Sequence, residues 1–286
     1  MPEIRTEELT HIYSAGTPFE KTALEKVSLS IRGGEFVALL GHTGSGKSTL
    51  IQHLNGLLSP TSGRVLLDGE NIHKNKETLR RARFRVGLVF QYPEYQLFEE
   101  TVRADIAFGP KNKGLGGEAL EEAVLFGARF AGVPESMLDD SPLDCSGGQK
   151  RRIAIAGVLA MKPEILILDE PTAGLDPAGC QDILENVRRY RNETGAAVLL
   201  VTHNMSTAAR MADRLIVMNG GHMAMDGTPA EVFSRVSELV EMGLDVPPAA
   251  SIAQRLRHAG FSLPRSICTA EELCAAVLAL KEGTAC

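Results

Sequence analysis

Nine consecutive residues, Gly41-His42-Thr43-Gly44-Ser45-Gly46-Lys47-Ser48-Thr49, carry the clearest chemistry in this chain. They fit the pattern G-x-x-x-x-G-K-[ST], which roughly one chain of this length in a hundred would contain by chance. Glycines let a backbone fold so tightly that its N–H groups converge on phosphate oxygens. The helix that follows adds partial positive charge at its N-terminus. Lys47 is then placed to reach the β- and γ-phosphates of a nucleoside triphosphate, and the Ser48 hydroxyl to ligate Mg²⁺.

A second string, Ile165-Leu166-Ile167-Leu168-Asp169-Glu170-Pro171, puts two acids directly after four apolar residues. Asp169 suits outer coordination of Mg²⁺. Glu170 suits polarising a water that attacks the γ-phosphate and accepting its proton. Alone, such a pair is an ordinary exposed strand end. Beside a phosphate loop it is half of a hydrolytic site.

Both strings need a scaffold that delivers them to one edge. The runs Phe36 to Leu40, Val86 to Phe90, Ile165 to Leu168 and Val198 to Val201 are continuously apolar. That pattern belongs to strands buried on both faces of a parallel sheet. Helical patterns separate them, one running through Leu50, Ile51, Leu54, Leu57 and Leu58 to end near Pro60. Strand and helix in alternation predict a layered α/β core, whose ligands lie at the carboxyl ends of the strands. Hairpins are expected at Asp68-Gly69 and, more strongly, at Asn219-Gly220-Gly221. Glu99 to Met161 shows no strand pattern and predicts an inserted helical subdomain of about 92–161. The expected division is 1–230 for the main domain and 231–286 for a small C-terminal extension, with amphipathic segments at Ile252 to Leu256 and Leu273 to Leu280.

Composition narrows the function classes. The 286 residues are 44% hydrophobic and 23% charged, with a net charge of −6. That balance argues against a nucleic-acid partner, whose phosphates require concentrated Lys and Arg. Cys145, Cys180, Cys268, Cys274 and Cys286 show no C-x-x-C spacing, so neither a zinc site nor a disulfide framework is expected. The start, MPEIRTEEL, lacks the apolar core of a signal peptide, and no apolar run approaches the roughly 20 residues that cross a bilayer. Any membrane association is expected to come through a partner.

Further residues make the pattern specific. Cys145-Ser146-Gly147-Gly148-Gln149 lies about twenty residues before Asp169 and resembles the L-S-G-G-Q signature of ABC ATPases. The parts of that family fall around it in order. Gln91 resembles the Q-loop glutamine, Ala173-Gly174-Leu175-Asp176 the D-loop, and His203 the switch histidine. Tyr13 resembles the aromatic that stacks on adenine, although a core aromatic of a strand is the alternative. The resemblance covers residue 1 to about 230. It implies a P-loop NTPase core of the ABC-ATPase type, with an antiparallel β subdomain, an inserted helical subdomain and a small C-terminal helical extension. It also implies ATP and Mg²⁺ as cofactors, with Ser48, Gln91 and Asp169 at the metal. Ser146, Gly147, Gly148 and Gln149, opening a helix, would face a γ-phosphate bound to an opposite subunit. Cys145 stands where leucine is usual, which puts the efficiency of that composite site in question.

Within the family, Gln91-Tyr92-Pro93-Glu94-Tyr95-Gln96-Leu97-Phe98 resembles the Q-loop of energy-coupling-factor transporter ATPases, the second of their two types. That likeness implies an importer of vitamins or other micronutrients, cobalt and nickel ions included. Its partners would be a second, homologous ATPase subunit (a heterodimer, with a homodimer as the alternative), a transmembrane coupling subunit and an exchangeable substrate-binding membrane subunit. The place implied is the cytoplasmic side of the cell membrane, peripherally attached, with Glu94 in the groove that receives the transmembrane subunit. Competing readings are another class of ABC transporter, a soluble ABC ATPase acting on DNA or ribosomes, and a regulatory module without turnover. Only about a hundred residues separate the phosphate loop from Ser146, without heptads, and the chain holds one cassette. Those features oppose the second reading, and Glu170, His203 and Gln91 together oppose the third.

Overall fold

The computed structural model describes residues 1–283, so Cys286 lies outside the described residues. The chain begins with β1 (Glu3–Tyr13), β2 (Lys21–Arg32) and β3 (Phe36–Leu40), then α1 (Lys47–Leu54). Next come β4 (Ser62–Leu67), β5 (Glu70–Asn71), α2 (Lys76–Arg85) and β6 (Val86–Val89). A helical stretch follows: α3 (Val102–Lys113), α4 (Gly117–Ala131) and α5 (Gly147–Leu159). The alternation resumes with β7 (Ile165–Asp169), α6 (Pro177–Thr194), β8 (Ala197–Val201) and α7 (Met205–Met211). After the β9 (Arg214–Asn219) and β10 (His222–Gly227) hairpin come α8 (Pro229–Ser234), α9 (Val236–Glu241), α10 (Pro248–His258) and α11 (Ala270–Gly283).

The strands form two sheets. One is four-stranded and antiparallel, in the order β2-β1-β4-β5. The other runs β10-β9-β3-β8-β7-β6, parallel throughout except for the edge strand β10. Every residue of β3 and β8 is buried, the physical counterpart of their unbroken apolar runs. Side chains alternate across the parallel sheet. Val37, Leu39, Ile165, Ile167, Leu199 and Val201 join α1 and the antiparallel sheet in one core. Leu166, Leu168, Val198 and Leu200 point the other way, into a core with α3, α4, α5 and α6. Phe130 and Tyr190 anchor that second core at 5.3 Å in an edge-to-face contact, and the Tyr190 hydroxyl donates to the Pro163 carbonyl.

The C-terminal helices do not pack as a detached unit. Leu239, Leu244, Ala250 and Cys268 share a core with Leu40, Leu215 and Met205. Ala253, Leu263 and Ile267 then hold α10 and α11 together. Among the described residues no helix is long and apolar enough to cross a membrane.

Two boundaries differ from the sequence expectation. The helix expected to reach Leu58 ends at Leu54, because Asn55 closes it and Gly56 turns left-handed at φ 73°. In the β9–β10 hairpin Asn219 remains in the strand, and Gly220-Gly221 alone form the turn, both at positive φ.

Candidate functional site

Four loops at the carboxyl edge of the parallel sheet converge on one cavity of about 680 Å³. Gly41 to Thr49 enter from β3, Gln91 from β6, Asp169 and Glu170 from β7, and His203 from β8. Tyr13, Lys21 and Ala23 of the antiparallel sheet form the opposite wall. The topology therefore brings Lys47, Gln91, Asp169, Glu170 and His203 to one place from four neighbouring strands.

The phosphate loop is built around its glycines. A Cβ on Gly41 would collide with the Ser45 Oγ and meet the Met218 carbonyl at 2.5 Å. One on Gly46 would meet the Ala23 carbonyl at 2.7 Å. Gly46 caps α1 at φ 103° with no side-chain hydrogen bond, which leaves the first amides of that helix open to an anion. Lys47 Nζ folds over the loop and donates to the carbonyls of Gly41 at 2.6 Å and His42 at 3.0 Å. Burial pushes the Lys47 ammonium below its usual pKa, and the charges of Glu170 and Asp169 pull it back up. The His42 ring nitrogens meet the Thr43 carbonyl and the Asn219 side chain. Ser45 lies fully buried beneath Gly41 with its Oγ unpartnered, and is not part of the cavity wall.

Glu170 sits at the centre of the polar groups. Its Oε2 accepts from Gln91 Nε2 at 3.1 Å, and its Oε1 lies 3.2 Å from His203 Nδ1. Its backbone is left-handed at φ 48°, and its N–H donates to the Val201 carbonyl, which fixes the carboxylate at the strand end. The His203 side chain is 75% exposed and free to meet a ligand from the solvent side. Burial raises the Asp169 pKa to about 6; the Glu170 charge adds to the rise and Lys47 opposes it. Two neighbouring acids so placed form a site that a cation relieves.

The donor set fits magnesium. Asp169 and the Ser48 hydroxyl offer hard oxygens, and with Nε2 turned to Glu170 the Gln91 amide leaves its oxygen for a cation. Magnesium takes few protein ligands and keeps phosphate and water for the rest. Among the described residues no cluster of three or more His, Cys, Asp or Glu could hold a metal ion.

Tyr13 ends β1 with its ring at the cavity and its hydroxyl 3.2 Å from Thr49 Oγ1, so it is not a core aromatic. The Ser146 group lies elsewhere. Ser146 caps α5 by accepting from the Gln149 N–H, and the Gln149 side chain returns to the Ser146 N–H. A Cβ on Gly147 would meet nothing, so this helix start stands open to solvent, away from the cavity. Cys145 packs against the core and its thiol points at the Ser141 carbonyl. Asp176 caps α6, accepting from the Gly179 N–H at 2.6 Å, and is likewise outside the cavity.

Several participants had no signal in the sequence. Lys21, Met205 and the turn Gly243-Leu244-Asp245 complete the cavity wall. Arg151, on α5, has a side chain only 4% exposed and grips Glu94 through both carboxylate oxygens, at 2.6 and 3.0 Å. The same guanidinium donates to the carbonyls of Pro171 and Ala173. Burial pushes Glu94 upward, but the Arg151 hydrogen bonds override it and hold the carboxylate below its usual range. A buried arginine thus joins the Gln91–Glu94 segment to the segment that follows Glu170. Only an arginine paired across 57 residues could have revealed it, and no local spacing encodes that.

The family model described as ABC transporter matches residues 24–173. The energy-coupling factor transporter ATP-binding protein EcfA2 of Clostridium perfringens is 52% identical, with 96% of this chain and 97% of that protein covered. The protein of the same name from Caldanaerobacter subterraneus is 50% identical, with 98% of each covered. Among solved structures, cbiO1 of Clostridium perfringens, part of the ABC transporter complex cbiONQ, superposes with a TM-score of 0.74 at 37% identity. The match covers 90% of this chain and 96% of that one. A dimeric ATP-binding cassette in a post-hydrolysis state, bound to ADP and Pi, gives 0.71 at 29% identity over 79% of this chain and 98% of that one.

Proposed function

The chain belongs to the ABC transporter family, and we propose that it is the ATP-hydrolysing subunit that powers an energy-coupling-factor importer of vitamins or other micronutrients. The observation that carries this reading is the convergence of Lys47, Asp169, Glu170, Gln91 and His203 on one cavity, in a chain alike over nearly its whole length to ATPases of such transporters.

In this reading Tyr13 stacks on the adenine, and Gly41 to Thr49 wrap the phosphates with backbone amides. Lys47 leaves its two loop carbonyls for the β- and γ-phosphates. Ser48, Asp169 and the Gln91 oxygen hold Mg²⁺, which supplies charge neutralisation at the phosphate oxygens when bound. Glu170 orients the attacking water and takes its proton, and His203 steadies the γ-phosphate beside it. The open start of α5, with Ser146, Gly147 and Gly148, closes over a triphosphate held by a second, homologous ATPase subunit. Asp176 lies beside that junction. Each γ-phosphate then binds the closed pair better than the open pair, so its hydrolysis reopens them.

The membrane partner docks on the other side of Gln91. Tyr92, Tyr95, Phe98 and Phe108 are exposed, and the groove beside Phe98 and Phe108 is floored by Ile153, Gly157 and Met161. Arg151 links this face to the backbone next to Glu170, so docking and hydrolysis share a rigid connection. The chain would sit peripherally on the cytoplasmic side, held by a transmembrane coupling subunit with its substrate-binding companion. Purification of the tagged chain from its native membranes in mild detergent should bring down a second ATPase and integral membrane proteins together. Recovery of the chain alone, or with nucleic acid, contradicts the assignment.

Asp169 adds a pH dependence. It must be ionised to hold a cation, and its pKa of about 6 makes protons compete with magnesium. Apparent Mg²⁺ affinity in the ATP complex should be level above about pH 7 and fall by up to about tenfold per pH unit below 6. Magnesium titration of ATP binding measures it, and Asp169→Asn should reduce the step to the part that titration of ATP itself causes. A step as large in Asp169→Asn as in the wild type would remove Asp169 from the metal.

A further inference from the structure

Behind Tyr13 lies a column of histidines that the hydrolytic chemistry does not use. His11, on β1, meets the Tyr13 ring edge-to-face at 4.5 Å between centroids. On its other side His11 meets His53, on α1, at 4.6 Å. His53 is fully buried and His11 is 9% exposed. His73, in the turn between β5 and α2, stands beyond His53 and is half-buried. Each has a ring nitrogen sealed from solvent without a hydrogen-bond partner: Nδ1 of His11, Nε2 of His53 and Nε2 of His73. Three orphaned polar atoms in one place are a cost that a folded protein rarely leaves without a use.

The geometry fixes the state of the column. His53 Nδ1 lies 2.7 Å from the Thr49 carbonyl, which can only accept, so Nδ1 carries the proton and Nε2 is a bare lone pair. Burial holds the His53 pKa below the usual histidine value, and charge on His11 or His73 would lower it further. The backbone of Thr49 and of Ser59 acts the other way, yet the net direction is down. Burial likewise depresses His73, with the Arg83 charge adding to it. The groups facing the column are thus His11 and Tyr13 from β1, His73 from its turn and Arg83 from α2. Among the described residues acting on His53 and His73 none is an acid, so only backbone groups beside His53 oppose the burial cost of an imidazolium.

We propose that His11 and His53, backed by His73, are positioning residues that hold Tyr13 against the nucleotide base only while His53 and His73 are neutral, giving ATP binding an acid limit. The inference rests on the reading of Tyr13 as the base platform. Tyr13 is tied to α1 twice, through its hydroxyl on Thr49 and through the His11–His53 contact. A charge placed in the column repels its neighbours and seeks water, which separates β1 from α1 and carries Tyr13 off the cavity wall. The sign follows from linkage. A histidine whose folded pKa is lowered contributes stability that is complete above its ordinary value of about 6.5 and is lost as pH falls below it.

The test uses the full chain without metal. ATP affinity is measured in EDTA from about pH 7.5 to about pH 5.5, which excludes magnesium competition. Protonating Asp169 would then favour ATP by removing a negative charge, the opposite sign. The comparison is with His11→Phe/His53→Asn, which keeps an aromatic edge on Tyr13 and an amide donor toward Thr49 but cannot titrate. Titration of ATP itself is common to both and cancels. Over this range the wild type should lose several-fold more affinity than the double variant. Equal losses would overturn the proposal. Should the double variant not fold, NMR titration of the wild type decides: Tyr13 ring signals that shift together with the His53 titration support it, and Tyr13 signals that stay fixed while His53 titrates contradict it. Tyr13→Ala is run in parallel. If it binds ATP as well as wild type at every pH, the base-platform reading itself has failed, whatever the histidines do.

Discussion

Replacing Glu170 by glutamine should lower ATP turnover of the assembled transporter by about a thousandfold, within the range that removal of a general base produces. ATP binding should stay within about threefold of wild type, because the cradle is untouched. Glutamine is nearly isosteric and can still meet Gln91 and His203, which hold the carboxylate at 3.1 and 3.2 Å. The left-handed backbone and the bond from the Glu170 N–H to Val201 are set by the strand end and not by the side chain. What disappears is the capacity to take a proton from water. With the γ-phosphate intact, the attraction between paired subunits persists, so the variant should accumulate as a closed, nucleotide-filled pair. Phosphate release and ATP retention on the purified complex measure both halves. Normal turnover would strip Glu170 of its role.

The second large effect belongs to Lys47. Lys47→Ala should weaken ATP binding by at least about a hundredfold, or about 3 kcal/mol, since charge-assisted hydrogen bonds contribute about 1.5–3 kcal/mol each. The same change removes the two bonds that the ammonium makes to the Gly41 and His42 carbonyls, so the empty loop loses its brace. Lys47→Arg should not rescue it. A planar fork does not fit where a compact ammonium is enclosed between loop carbonyls and the Asp169–Glu170 pair. Equilibrium binding of ATP by the isolated chain measures the loss, and affinity unchanged in Lys47→Ala would place the phosphates elsewhere.

How legible the molecule was depended on whether a feature was local. The phosphate loop and the Asp169-Glu170 pair could be read because their chemistry is compressed into a few residues. The parallel strands could be read because burial on both faces leaves continuous apolar runs, as in β3 and β8. The antiparallel strands resisted. β1 and β2 are 11 and 12 residues long, yet their period of two is broken by bulges, with Glu8 and Lys26 at positive φ. The antiparallel subdomain was therefore expected from family likeness and not from periodicity. Leu57 kept the helical spacing after α1 had ended and is 46% exposed, a case of pattern without structure. Within the site, Lys21, Asp245 and the Arg151–Glu94 pair arrive through tertiary folding alone, as does the histidine column.

Neighbouring subunits sharing each triphosphate is the claim on which the transport account stands. A structure of the assembled Glu170→Gln complex with MgATP tests it most directly. The account predicts the Ser146 hydroxyl and Gly148 amide of this chain within hydrogen-bonding distance of a γ-phosphate whose remaining contacts come from the adjoining ATPase. Ser146 and Gly148 facing solvent or the protein interior, with both nucleotides bound, would contradict it.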